Sequence, residues 1–172
     1  LGDTGVEKAL SLPKLSNIEI ENRINLNLEK PFWLVTFHPE TIAGPEKSLE
    51  AQKELLAALD ELIKKDQQIV FTGVNADEGG KRLHKQLIDW AKDKPLVKLN
   101  DSLGSILYIN LMRRCKAVIG NSSSGIIEAP AVDVPTINIG NRQKGRMKTN
   151  SILTVDANKD EIFNAIMLSQ DI

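Results

Sequence analysis

An α/β fold built on a doubly wound, Rossmann-like parallel sheet is the class this sequence predicts, and three features predict it. Short apolar runs alternate with longer amphipathic stretches six times along the chain. The runs are mostly apolar throughout, as expected of parallel strands covered by helices on two faces. Polar residues suited to holding a ligand, His38, Asn75, Ser102, Ser122 and Arg142, fall at or just past the ends of runs. Open α/β sheets bind their ligands beyond the carboxyl ends of the strands.

In chain order, Ser16-Asn17-Ile18-Glu19 is a capping-box pattern that opens a short helix to about Leu26. Pro13 precedes it and Lys30-Pro31 closes it, so residues 1–30 read as a hinge and packing helix and residues 31–172 as the ligand-binding domain. Strands are expected near residues 32–37, 68–72, 96–98, 117–119, 136–139 and 152–155. Leu55, Leu56, Leu59, Leu62 and Ile63 recur at spacings of three and four and mark one buried helix face. Leu83, Leu87, Ile88 and Ala91 mark the next; Leu103, Ile106, Leu107 and Leu111 the third; Ile162, Phe163, Ile166 and Met167 the last. Strands and helices in this order wind a sheet through right-handed crossovers.

Composition bounds the function. The 172 residues suffice for one domain with a real core. A net charge of −1 gives no field that would attract nucleic acid or an anionic membrane, so an anionic ligand would need positive potential concentrated locally. No apolar run approaches the length of a membrane span. The single cysteine, Cys115, forms no internal disulfide; it reads as a small buried hydrophobe, and a reducing cytoplasm is the simple setting. Two distant histidines and one cysteine offer no metal-ligand spacing, and no cofactor motif is present. Trp33 and Trp90 read as core or interface residues. A chain opening Leu-Gly-Asp-Thr-Gly reads as a piece of something longer.

Residues 118–146 are the most informative stretch. A β-branched run ends at Gly120, three serines and a glycine follow, and a short apolar helix pattern carries Glu128. A second apolar run ends at Gly140 and opens into Asn141-Arg142. Strand, small-residue turn and helix start together make an anion site, because the first helical N–H groups lack intrahelical partners and the helix dipole is positive there. Ser122 and Ser123 add hydroxyl donors without filling the space a phosphate needs. Glu128 can accept from sugar hydroxyls, and Arg142 can add a charged fork. The same serines and asparagine are also ordinary helix caps. No Gly-Lys-Ser/Thr follows, so this is not a P-loop, and the Gly-x-Gly-x-x-Gly dinucleotide fingerprint is absent.

Single residues carry paired readings. His38, at a strand end and followed by Pro39, can move a proton, donate to a phosphate, or be purely structural. His84 lies at helical spacing with Leu87, Ile88 and Ala91 and reads as a half-buried helix residue without a functional role. Asn75 sits in a glycine-rich loop whose spacing is wrong for calcium and suits a turn. Ser102 can cap the helix running to Met112. Lys144 and Arg146 read as a solvated basic loop.

Asn-Ser-Ser-Ser-Gly-Ile-Ile-Glu-Ala-Pro followed by Pro-Thr-Ile-Asn-Ile-Gly-Asn-Arg-Gln-Lys-Gly-Arg closely resembles the hydrolysing UDP-N-acetylglucosamine 2-epimerases of bacterial sialic and related nonulosonic acid synthesis. Val35-Thr36-Phe37-His38-Pro39-Glu40-Thr41 looks like that family's strand-end histidine motif. Thr72 to Gly80 and Asp101-Ser102-Leu103-Gly104 look like two further nucleotide loops. The resemblance runs over nearly the whole chain. It implies the C-terminal, UDP-binding half of a two-domain glycosyltransferase-B-like enzyme, with an N-terminal domain not contained in this chain and a homo-oligomeric full-length protein. It implies UDP and UDP-N-acetylglucosamine, or a related UDP-amino sugar, as ligands. The chemistry it implies is loss of UDP with the C2 proton, addition of water to a glycal-type intermediate, and release of a free 2-epimer such as N-acetylmannosamine.

The resemblance also assigns roles. His38 is the catalytic candidate, and Asn75, Ser102, Ser122, Ser123, Glu128 and Arg142 bind substrate. The acidic groups that remove the C2 proton lie mainly in the other domain. Two related enzymes share the fold: the non-hydrolysing 2-epimerase, whose corresponding loop favours Ser-Gly-Gly, and a retaining UDP-sugar transferase. A non-catalytic nucleotide-sensing module is the alternative from a different class.

Overall fold

A computed structural model describes residues 11–38, 44–74, 80–121, 132–140 and 152–170. The chain runs α1 (Asn17–Ile24), β1 (Phe32–Thr36), α2 (Pro45–Ile63), β2 (Gln68–Phe71), α3 (Lys81–Ala91), β3 (Val97–Leu99), α4 (Gly104–Arg114), β4 (Val118–Gly120), β5 (Thr136–Ile139), β6 (Ile152–Val155) and α5 (Lys159–Ser169). The six strands form one sheet in the order β3-β2-β1-β4-β5-β6. Every pairing is parallel. The order reverses between β1 and β4, which is the topological switch point of a doubly wound sheet. The predicted class is the one observed.

Alternation along the central strands feeds two cores. Trp33 and Val35 of β1 point into a cluster with Leu55, Leu59 and Leu62 of α2, Leu87 of α3 and Ile162 and Ile166 of α5. Phe32 and Leu34 point the other way, onto Ile20 and Ile24 of α1 and Leu107, Leu111 and Met112 of α4. This is the period-2 geometry of a strand buried on both faces. Strands β1 and β2 are buried along their length, whereas β6 at the edge is half-buried throughout. Ile88, Ile106 and Met167, expected on buried faces, are exposed. Each lies one residue from a buried neighbour, so a 100° step carries it to the rim of the stripe. On α3, Trp90 reaches the core instead, edge-on to Phe71 with ring centroids 6.1 Å apart, and donates to Asp60 Oδ1 at 3.1 Å.

Helix α1 carries the expected capping box between Ser16 and Glu19. It stops at Ile24 because Asn25 turns left-handed (φ 54°) and its N–H closes on Glu21. The segment around it is tied to the domain by polar groups that sequence patterns do not reveal. Buried Asn110 accepts from Leu15 N–H and donates to the Pro13 carbonyl, each at 2.8 Å. Arg114 donates to the Leu15 carbonyl at 2.7 Å and to Asn17 Oδ1 at 2.9 Å. Gln68 exchanges two hydrogen bonds with the Asn27 main chain. Cys115 is buried, and burial pushes its thiol up to about 12, so it behaves as a packing group. Among the described residues no helix is long and apolar enough to cross a membrane.

Candidate functional site

With all strands parallel, their exits share one edge. Thr36-Phe37-His38, Thr72-Gly73-Val74, Asn100-Asp101-Ser102, Gly120-Asn121 and Gly140 lie along it. The centre of this edge is unusually close-packed. Gly120 has φ +142°, and a Cβ there would overlap the Thr36 carbonyl oxygen and sit 2.8 Å from its carbonyl carbon. Only glycine lets the end of β4 close on β1. Thr36 Oγ1 is buried there with no hydrogen-bond partner among the described residues.

His38 follows directly. Its N–H donates to Asn121 Oδ1 at 2.9 Å, and its carbonyl accepts from Asn121 Nδ2 at 2.9 Å. Asn121 N–H in turn donates to the Thr36 carbonyl at 3.2 Å. The His38 imidazole is exposed on the edge and lies against Gly73, where a Cβ would come within 3.3 Å of its Cε1. Gly73 N–H donates to the Asp101 carbonyl at 3.0 Å and Val74 N–H to the Asn100 carbonyl at 3.3 Å, which binds the exit of β2 to that of β3. His84 is half-buried on α3, as expected, and its Nδ1 also hydrogen-bonds the Val74 carbonyl. That contact fixes the main chain one residue before Asn75.

A cavity of about 170 Å³ opens beside these groups, lined by Phe37, His38, Gly73, Val74, Leu83 and His84 among others. Sites enclosing a whole drug-sized ligand run to about 300–1,000 Å³, so this cavity has room for only part of one. A wider depression of about 540 Å³ lies near the start of β1, around Phe32, Arg114 and Lys116, away from the strand exits.

Helices α2, α3 and α4 begin without a side-chain cap, whereas α1 and α5 are capped by Ser16 and Asn158. Ser102 is exposed, and Leu103 rather than Ser102 occupies the N-cap position of α4. The capping reading of Ser102 is thereby set aside, and the residue stands exposed just past the end of β3. Asn75, Ser122, Ser123, Glu128 and Arg142 lie outside the described residues, as do Lys144 and Arg146. The structure carries the chain to Val74, Asn121 and Gly140, immediately before three of these segments. The sequence reading missed Asn121. The available signal is an amide side chain directly after a strand-ending glycine.

The sequence profile of the UDP-N-acetylglucosamine 2-epimerase family matches residues 1–171. The chain is 40% identical over 154 residues to the GDP/UDP-N,N'-diacetylbacillosamine 2-epimerase (hydrolyzing) of Campylobacter jejuni, a match covering 88% of this chain and 39% of that protein. It is 36% identical over 171 residues to a polysialic acid biosynthesis protein of Escherichia coli, covering 99% of this chain and 43% of that protein. The chain thus spans about two fifths of the length of these relatives. Among solved structures, the Methanocaldococcus jannaschii UDP-GlcNAc 2-epimerase in complex with UDP-GlcNAc and UDP superposes with a TM-score of 0.79 at 20% identity, covering 99% of this chain and 47% of that one. At that identity the likeness speaks to the fold.

Proposed function

The chain belongs to the UDP-N-acetylglucosamine 2-epimerase family, and from that premise we propose that it is the UDP-binding, C-terminal domain of a hydrolysing 2-epimerase acting on UDP-N-acetylglucosamine or a related UDP-amino sugar. Residues 31–172 form the nucleotide-binding unit, and residues 1–30 supply the hinge and packing helix. The observation that carries the reading is the junction of β1 and β4, where His38 is held by Asn121, the residue directly before Ser122 and Ser123 in the sequence. The hydrolysing character is supported by the relative of that name at 40% identity.

In this reading Ser122 and Ser123 hold the diphosphate and stabilise departing UDP. Glu128 accepts from the ribose hydroxyls, Asn75 and Arg142 complete the nucleotide pocket, and Ser102 faces the phosphates. His38 faces the phosphate or the sugar. The C1–O bond to UDP breaks as a base removes the C2 proton. Water then adds across the resulting double bond, its hydroxyl at C1 and a proton at C2 on the opposite face, to give the free 2-epimer. The base comes from an N-terminal domain, and the whole enzyme works as a cytoplasmic homo-oligomer without a cofactor.

Calorimetric titration of the chain with UDP, UMP and NAD tests the reading. UDP should bind most tightly, also in the presence of a chelator. Ser123→Ala should weaken UDP about ten- to hundredfold, the equivalent of roughly 1.5–3 kcal/mol for a hydrogen bond to a charged group, and UMP much less. NAD binding more tightly than UDP would overturn the nucleotide assignment. Equal losses for UDP and UMP would remove Ser123 from the diphosphate.

A further inference from the structure

We propose that Asn121 is a positioning residue for His38, its side chain holding the strand end that carries the imidazole. The geometry extends the sheet by one rung. Thr36 is paired with Gly120 in the parallel ladder between β1 and β4, and the last main-chain bond is Asn121 N–H to the Thr36 carbonyl at 3.2 Å. In a regular parallel ladder the next bond would run from His38 N–H to the main-chain carbonyl of residue 121. Here Asn121 Oδ1 takes that N–H at 2.9 Å, and Nδ2 donates to the His38 carbonyl at 2.9 Å.

A primary carboxamide carries the acceptor and the donor of a peptide unit. Asn121 therefore completes the rung with its side chain, and its main chain is left to continue into Ser122 and Ser123. Both hydrogen bonds go to the His38 main chain rather than to the ring. Asn121 therefore acts on the imidazole only by fixing where the strand end places it, against Gly73. Aspartate keeps the acceptor, loses the donor and turns a carboxylate oxygen toward the His38 carbonyl. Alanine loses both bonds.

The proposal rests on the reading of His38 as a substrate-facing group, and its test has one arm that does not. The chain holds two histidines, so His84 serves as an internal control. In the 172-residue chain, the imidazole Cε1–H NMR signal of His38 should move in Asn121→Ala and in Asn121→Asp. That of His84, whose ring is held by the Val74 carbonyl, should stay in place. In the whole two-domain protein, both substitutions should lower kcat about ten- to hundredfold, the scale of a small misplacement of a reacting group, with KM for the UDP-sugar within about threefold. If Asn121→Ala fails to fold, Asn121→Asp decides.

An unmoved His38 signal would overturn the proposal. So would equal movement of both histidine signals, which would mark general loosening. Unchanged kcat in a wild-type-active protein would overturn it as well. A wild-type protein that releases no UDP would instead overturn the functional reading and leave the NMR arm to decide the positioning.

Discussion

Gly120→Ala should cost at least about 3 kcal/mol of folding stability, at or above the upper end for overpacked positions. The added Cβ meets main chain, the Thr36 carbonyl, at a contact no rotamer change can relieve. It meets it at the junction of β1 and β4, where the sheet order reverses and both neighbouring strands are buried. The φ of +142° adds a second penalty for any residue with a Cβ. Urea denaturation followed by circular dichroism measures the loss. A change below about 1 kcal/mol, the range of tolerated substitutions, would show that the ladder can shift and that the close approach is not required.

His38→Ala should separate chemistry from binding. In the whole two-domain protein, kcat should fall by about a hundredfold or more, the usual contribution of a positioned proton-transferring group. UDP affinity of the 172-residue chain should change less than about tenfold, the scale of one lost hydrogen bond. The exposure of His38 at the strand exits and the two-bond hold on its main chain motivate the split. Parallel losses in kcat and affinity would make His38 a nucleotide contact without a further role.

The architecture was legible because burial on two faces writes continuous apolar runs into the chain. The strands at residues 136–139 and 152–155 fall where the runs predict them. Other ends move by a residue or two because partners, not propensity, set them. Strand β1 stops at Thr36, before the expected Phe37, where the Asn121 side chain takes over the ladder. Helix α1 stops at Ile24 because Asn25 adopts a left-handed conformation.

Of the candidate site, the positions of His38 and Ser102 just past strand ends were legible. What holds it was not. The Asn121–His38 pair joins residues 83 apart in sequence, and Gly120 is required by a strand that lies next to it only in the folded sheet. Local periodicity carries neither fact. His84 shows the converse. Its helical spacing correctly suggests half-burial, while its bond to the Val74 carbonyl depends on where β2 ends.

The most direct measurement is product analysis of the whole two-domain protein incubated with UDP-N-acetylglucosamine or UDP-N,N'-diacetylbacillosamine, with the 172-residue chain as control. UDP and a free 2-epimerised sugar should appear in equal amounts from the whole protein, and the chain alone should bind UDP and release nothing. An epimerised sugar still attached to UDP, a glycoside, or turnover by the 172-residue chain alone would contradict the account.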